Sequence, residues 1–192
     1  WALMMVAMML PSAAPMILLH ARIDRAETPA ERLRNSLIFI ASYLLVWTLF
    51  SAVAAALQAA LVSAGVLSGA SLALGDPVLV AALLIAAALY QLSPAKSACL
   101  DQCRSPIHFV MGHWRPGPAG AARLGVVHGL YCLGCCWPLM ALLFVGGVMN
   151  LAWIAALALT VFVEKLAPPR WHADRVVAGL LVAGAAILLA RG

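Results

Sequence analysis

One stretch of this sequence, residues 119–167, is apolar almost throughout and leaves very few fold classes open to the chain. A helix needs about 20 apolar residues to cross the hydrocarbon core of a membrane, so this stretch is too long for a single crossing. The whole chain is 65% hydrophobic and only 10% charged, whereas roughly a quarter of residues are charged in soluble domains. Because the apolar runs are continuous and do not alternate, an outer-membrane barrel is excluded. The sequence therefore predicts an all-α, polytopic transmembrane helical bundle.

The apolar segments divide into about six membrane spans, which we assign to one integral membrane domain covering residues 1–192. The predicted spans are residues 1–19, 35–64, 77–92, 124–145, 151–166 and 176–190. The glycines at 146 and 147 supply the turn between the fourth and fifth spans. Since the sequence starts with Trp1 inside an apolar run, we expect further residues to precede it.

The basic residues follow the same division. Every lysine and arginine except Arg191 falls near or in the segments after the first, third and fifth spans, while residues 65–76 and 146–150 contain none. By the positive-inside rule the basic loops face the cytoplasm. The formal charge of +5 is then explained by orientation in the membrane, so we expect the lipid bilayer as a partner and no binding to nucleic acid.

Three cysteines and a histidine follow one face of the fourth predicted span. His128 and Cys132 are four residues apart, Cys136 follows after four more, and Cys135 lies three residues after Cys132. Thiolate and imidazole suit Cu(I) or Zn²⁺, and thiolate favours the softer ion. The alternative is that these cysteines pack as small hydrophobic residues.

A second pair of cysteines lies in the basic segment after the third span. Pro94 can begin a short helix there, and Lys96, Cys99 and Cys103 then share one of its faces. An odd total of five cysteines and a reducing compartment argue against a structural disulfide framework. The pair is either a metal relay or redox pair, or two ordinary interfacial residues.

Three further groups carry weaker signals. Met8 and its neighbouring methionines occupy one broad side of the first helix, where thioether could bind Cu(I) or simply fill space. Glu164 lies near the inner end of the fifth span, where a carboxylate is costly; it is a metal-ligand candidate, or it reaches the interface or pairs with an arginine. His20 is expected to be a helix-terminal residue.

The motifs at residues 99–106 and 129–140 resemble those of a bacterial family of integral membrane proteins. Members of that family are described only as predicted metal-binding proteins of unknown function. The resemblance covers nearly the whole chain and implies a multi-pass protein of the bacterial inner membrane. It also implies a metal site on all five cysteines, which are Cys99, Cys103, Cys132, Cys135 and Cys136.

Two functions compete on these observations. The first is a metal-binding membrane protein, for copper or alternatively zinc, that acquires, transfers or delivers the ion to another membrane or soluble metalloprotein. The second is a membrane oxidoreductase that uses bound copper or vicinal thiols on a hydrophobic substrate. No residue is assigned a catalytic role, because acid and base groups are scarce near the cysteines. A transporter or a purely structural membrane component is a third possibility, but the spans contain few of the polar groups that transport requires.

Overall fold

The computed structural model describes residues 1–24, 26–67 and 72–191 of the chain. Within these ranges the structure is helical, apart from an isolated bridge between Leu67 and Leu74. Its α-helices are α1 (Ala2–Ile23), α2 (Pro29–Ser63), α3 (Pro77–Gln91), α4 (Pro94–Arg104), α5 (Pro106–His113), α6 (Gly117–Ala141), α7 (Leu143–Gly146), α8 (Leu151–Leu166) and α9 (Ala173–Arg191). The prediction of an all-helical fold is confirmed.

Local sequence explains where several helices begin. Thr28 and Glu31 form a reciprocal capping box at the start of α2, because each side chain accepts a hydrogen bond from the backbone N–H of the other. The Asp76 carboxylate accepts from the backbone N–H groups of Val78 and Leu79 at the start of α3. Proline occupies the first position of α2, α3, α4 and α5, where its missing N–H costs no helical hydrogen bond.

Every predicted span falls on a helix, but the count of six is not confirmed. Four helical segments are long and apolar enough to cross a membrane: Ala2–Ile23, Pro29–Ser63, Gly117–Gly146 and Ala173–Ala190. The number rises to five if α3 and α4, which are bent by 63° at residues 92–93, count as one broken span. Helix α3 alone has 15 residues and α8 has 16, so each is shorter than the usual span.

The chain forms two compact units. The first unit contains Trp1–Ala52 and Ala98–Cys135, and the second contains Val53–Ser97 and Cys136–Gly192. The prediction that these segments make one membrane domain stays a prediction. Helices α2, α4 and α6 contribute residues to both units.

The core of the first unit depends on close approach between α2 and α6. Its buried cluster consists of Met16, Phe39, Phe109, Val110, Ala121 and Leu124. A Cβ atom added to Gly125 would lie 2.4 Å from the backbone oxygen of Phe39, and one added to Gly129 would lie 2.9 Å from a methyl group of Val46. Both glycines therefore let α6 pack directly on α2, as small residues do between membrane helices.

In the second unit, α9 packs along α3 and also contacts α8. The indole N–H of Trp153, on α8, donates a 2.8 Å hydrogen bond to the carbonyl of Leu142. This bond satisfies a carbonyl next to the short helix α7 and joins α8 to the end of the preceding helical segment.

Candidate metal site

The cysteines of α6 that belong to the first unit are buried in its interior. Cys132 is fully buried and Cys135 is 2% exposed. The Cys135 thiol donates to the backbone carbonyl of Cys132 at 3.1 Å, so the two side chains lie on adjoining parts of the helix surface. Both thiols are in an apolar environment, where a soft ion that can shed its water is favoured over a strongly hydrated one.

Helix α4 brings a third thiol against this stretch of α6. A Cβ atom added to Gly134 would lie 2.8 Å from the sulfur of Cys99, so the Cys99 side chain occupies the space that glycine leaves open. Cys103 follows Cys99 by one helical turn and is partly exposed. The two cysteine motifs, which are separated by a long stretch of sequence, therefore meet in the first unit.

Tyr43 of α2 connects the cysteines to the methionine-bearing helix. Its hydroxyl lies 3.1 Å from the sulfur of Cys132 and donates to the backbone carbonyl of Met9 at 3.2 Å. Tyr43 is fully buried, as is Met9, while Met8 is 6% exposed. The methionine face of α1 thus points into the same interior as Cys132, although the contact that joins them uses the backbone of Met9.

Tyr43 was not predicted to be a site residue, since a single tyrosine in an apolar helix fits interior packing equally well. The only available signal was its hydroxyl, which must find a partner when it is buried.

His128 is enclosed by aromatic rings one turn before Cys132. The imidazole stacks on Tyr43 with a centroid distance of 5.6 Å and on Phe39 at 6.2 Å, and Phe109 meets it edge-on at 5.4 Å. His128 is 3% exposed. These rings fix the orientation of the imidazole one helical turn from Cys132, and its role as a metal ligand stays a prediction.

Cys136 belongs to the second unit, where it is 1% exposed. It retains the helical spacing that made it a candidate, four residues after Cys132. Its role as a ligand stays a prediction.

Glu164 has well-defined partners in the second unit. One carboxylate oxygen accepts from the Lys96 ammonium at 2.6 Å, and the other accepts from the Gln91 amide at 2.7 Å. The ammonium also donates to the Gln91 carbonyl oxygen, which closes a three-membered polar network. Lys96 is fully buried and Glu164 is 2% exposed, so this is an interior ion pair.

This network gives Glu164 a structural role that the sequence suggested only in part. Pairing with a cation was one of the alternatives, but the expected partner was a loop arginine. Lys96 was expected to accompany Cys99 and Cys103 on α4, and Gln91 was not considered. The sequence signal that could have suggested this network was a polar residue near the end of each of the apolar helices α3 and α8, namely Gln91 and Glu164.

Among the residues that the structure describes, no three or more histidine, cysteine, aspartate or glutamate side chains are already arranged around a common metal position. What the first unit offers is sulfur from two helices at close range, with an imidazole one turn away. Cu(I) accepts low coordination numbers and prefers sulfur, so this donor set fits Cu(I) better than an ion that needs a complete tetrahedral shell.

A helical unit in which thiols from two motifs meet has the donor set of a soft-metal-binding protein. The comparison with protein families names the metal: residues 1–188 match the model of the PpoB2 copper chaperone family, and the chain belongs to that family. No curated protein and no solved structure matches the chain. The metal-related family that the motifs implied is thus supported, and its description specifies copper.

Proposed function

We propose that this protein is a membrane-embedded copper chaperone that holds Cu(I) on the thiolates of α4 and α6 and delivers it to another metalloprotein. The observation that carries the proposal is the position of the Cys99 sulfur against Gly134. It brings a thiol of the first cysteine motif to the helix segment that carries Cys132 and Cys135. The remaining thiol of this unit is Cys103, one turn further along α4.

Binding proceeds without a change of oxidation state. A thiol loses its proton and its sulfur donates an electron pair to Cu(I), so each thiol that ligates the ion releases one proton. The Tyr43 hydroxyl is 3.1 Å from the Cys132 sulfur, and when the thiolate forms the hydroxyl can turn its single proton from the Met9 carbonyl to the sulfur. Such a hydrogen bond stabilises the charged sulfur and fixes its direction.

A small number of sulfur ligands also suits transfer. Because the donor set is not a closed shell, a thiolate or thioether of a receiving protein can add before a resident ligand leaves. The buried methionine face of α1 adds neutral sulfur in the same interior, with Met8 as the member that sequence analysis selected. Copper is the cargo in this proposal.

We further propose that the chain lies in the bacterial inner membrane, with its basic loops on the cytoplasmic side. Support comes from the four helices that are long and apolar enough to span. Large apolar side chains are also exposed on several helices: Leu3 is 88% exposed, Leu49 61% and Leu159 63%. In water such surfaces would promote aggregation, whereas in lipid they are the expected covering. The proposed partners are lipid and the protein that receives the copper.

The test is anaerobic Cu(I) loading of the full chain in detergent, followed by elemental analysis. We expect copper to bind stoichiometrically to the native protein and to be lost from a Cys99→Ser, Cys132→Ser, Cys135→Ser variant. The matched control is Ala98→Ser, because Ala98 is an exposed neighbour of Cys99 on α4. Equal copper in all three proteins would refute the thiol site. A copper spectrum that changes with an oxidant and a hydrophobic substrate would instead favour the oxidoreductase.

A further inference from the structure

A groove with several charged lining residues opens in the first unit where α1 ends and α2 begins. It has a volume of about 620 Å³ and is lined by Asp24, Ala26, Glu27, Glu31, Arg34, Asn35, Trp114, Pro116, Gly117 and Pro118. Glu31 is used in the capping box of α2, and Arg34 and Glu27 are exposed. Asp24 and Asn35 differ from these residues because they are buried, at 7% and 4% exposure.

The hydrogen bond between Asp24 and Asn35 fixes how the amide points. The Asn35 amide nitrogen donates to one carboxylate oxygen of Asp24 at 2.9 Å. Only the nitrogen of an amide can donate to a carboxylate, so the amide oxygen is the atom left over. That oxygen, Oδ1, is buried and has no hydrogen-bond partner. Buried amide oxygens are almost always satisfied, which points to a ligand for this one.

His20 supplies a second buried atom without a partner. It lies one helical turn before Asp24, whose backbone N–H bonds to the His20 carbonyl at 3.0 Å. The imidazole stacks on Phe39 with a centroid distance of 5.0 Å and contacts Trp114 at 5.5 Å. It is 2% exposed, and its Nδ1 has no hydrogen-bond partner. His20 lies in the last turn of α1, as expected, and it is also buried there.

We propose that His20, Asp24 and Asn35 form a second metal site, which takes a divalent transition-metal ion such as Zn²⁺. Imidazole, carboxylate and amide oxygen are ligands for ions harder than Cu(I), and no sulfur takes part. The ion satisfies both orphaned atoms and neutralises a buried carboxylate. The exposed Arg34 guanidinium at the groove opposes the approach of a cation, so the buried ligands must supply the affinity.

The first test uses the native full chain in detergent and Co²⁺ as a spectroscopic substitute for Zn²⁺. We expect d–d absorption that Zn²⁺ abolishes by competition and that persists in the Cys99→Ser, Cys132→Ser, Cys135→Ser variant, where these residues can give no thiolate-to-metal charge-transfer band. Asp24→Asn should weaken Zn²⁺ binding about tenfold or more, as loss of a group at a metal site typically does. The matched control is Glu27→Gln, which removes an exposed carboxylate from the same groove and should leave the affinity unchanged.

A second variant keeps the test decisive if Asp24→Asn does not fold. Asn35→Asp places two carboxylates together, so the apo protein should melt at a lower temperature than the native one. Added Zn²⁺ should raise its Tm by more than it raises the native Tm. If the Asp24–Asn35 pair is only a structural hydrogen bond, Zn²⁺ will leave the native Tm unchanged whatever it does to Asn35→Asp, because the two carboxylates of the variant can bind the ion by themselves.

The inference is overturned by any of three results: no Co²⁺ or Zn²⁺ binding, a thiolate charge-transfer band that accounts for all bound Co²⁺, or equal loss of affinity in Asp24→Asn and Glu27→Gln. None of these results bears on copper. Stoichiometric Cu(I) in Asn35→Asp would show that the thiol site is intact, so the two proposals fail independently.

Discussion

Gly134→Ala provides a sharp test of whether α4 and α6 form one copper site. The added methyl carbon would lie 2.8 Å from the Cys99 sulfur, and ordinary contact begins at 3.4 Å, so the sulfur must retreat by about 0.6 Å. Metal–ligand distances in working sites vary by only about 0.2 Å, so a displacement of this size disturbs coordination. Forcing a side chain off its rotamer costs about 0.5–1.5 kcal/mol, and ~1.4 kcal/mol corresponds to a tenfold change in affinity. We therefore expect Cu(I) affinity to fall about tenfold.

The assay is anaerobic competition for Cu(I) against a chromophoric chelator, with Tm measured on the same samples. Alanine is the better helix former by roughly 1 kcal/mol, so the variant should not lose stability as it loses affinity. Gly179→Ala is the matched control, since Gly179 is also inside a helix and an added Cβ there meets nothing within 4 Å. Unchanged copper affinity in Gly134→Ala, with a native Tm, would refute the reasoning that the Cys99 sulfur binds the ion beside α6.

Two further substitutions separate structural residues from copper residues. Glu164→Gln leaves the buried Lys96 ammonium without its counter-charge. We therefore expect the free energy of unfolding in detergent to fall by about 3–5 kcal/mol, with the copper stoichiometry unchanged. A native Tm together with lost copper would instead assign Glu164 to the metal. Tyr43→Phe keeps the ring and removes only the hydroxyl beside Cys132. Cu(I) affinity in the same competition assay should then fall about tenfold. An unchanged affinity would exclude a role for that hydrogen bond.

Much of the helical framework follows from local sequence. Proline at the first helical position, Asp76 as an N-cap and the Thr28–Glu31 capping box mark helix starts without reference to tertiary structure. The number of spans was harder to obtain, because α3 and α8 are apolar but short. A hydropathy profile reports how apolar a segment is, whereas crossing a membrane also requires a sufficiently long helix. The profile also does not show the bend of 63° between α3 and α4.

Helical periodicity predicted only the part of the candidate site that lies within a single helix. Spacing placed Cys132 and Cys135 on one side of α6, because the information is contained in a single helix. The contact between Cys99 and Gly134 depends on how two helices pack, and Gly134 itself appeared to be only a small residue between cysteines. Lys96 illustrates the converse: helical spacing grouped it with the cysteines of α4, but a buried ammonium needs a counter-charge more than it needs a common face, and Glu164 supplies it.

The donor types in the first unit are segregated in a way that suits a protein that must select copper. Thiols occupy α4 and α6, whereas the carboxylate, amide and second imidazole lie where α1 ends and α2 begins. Affinity for thiolate does not by itself separate Cu(I) from Zn²⁺, because Zn²⁺ also binds thiolate well. Discrimination has to come from geometry and from the oxidation state of copper, and thiols that are not already arranged as a complete tetrahedral shell favour Cu(I). If the groove holds Zn²⁺ on nitrogen and oxygen, the same unit can carry the harder ion without using the sulfur atoms that the cargo requires.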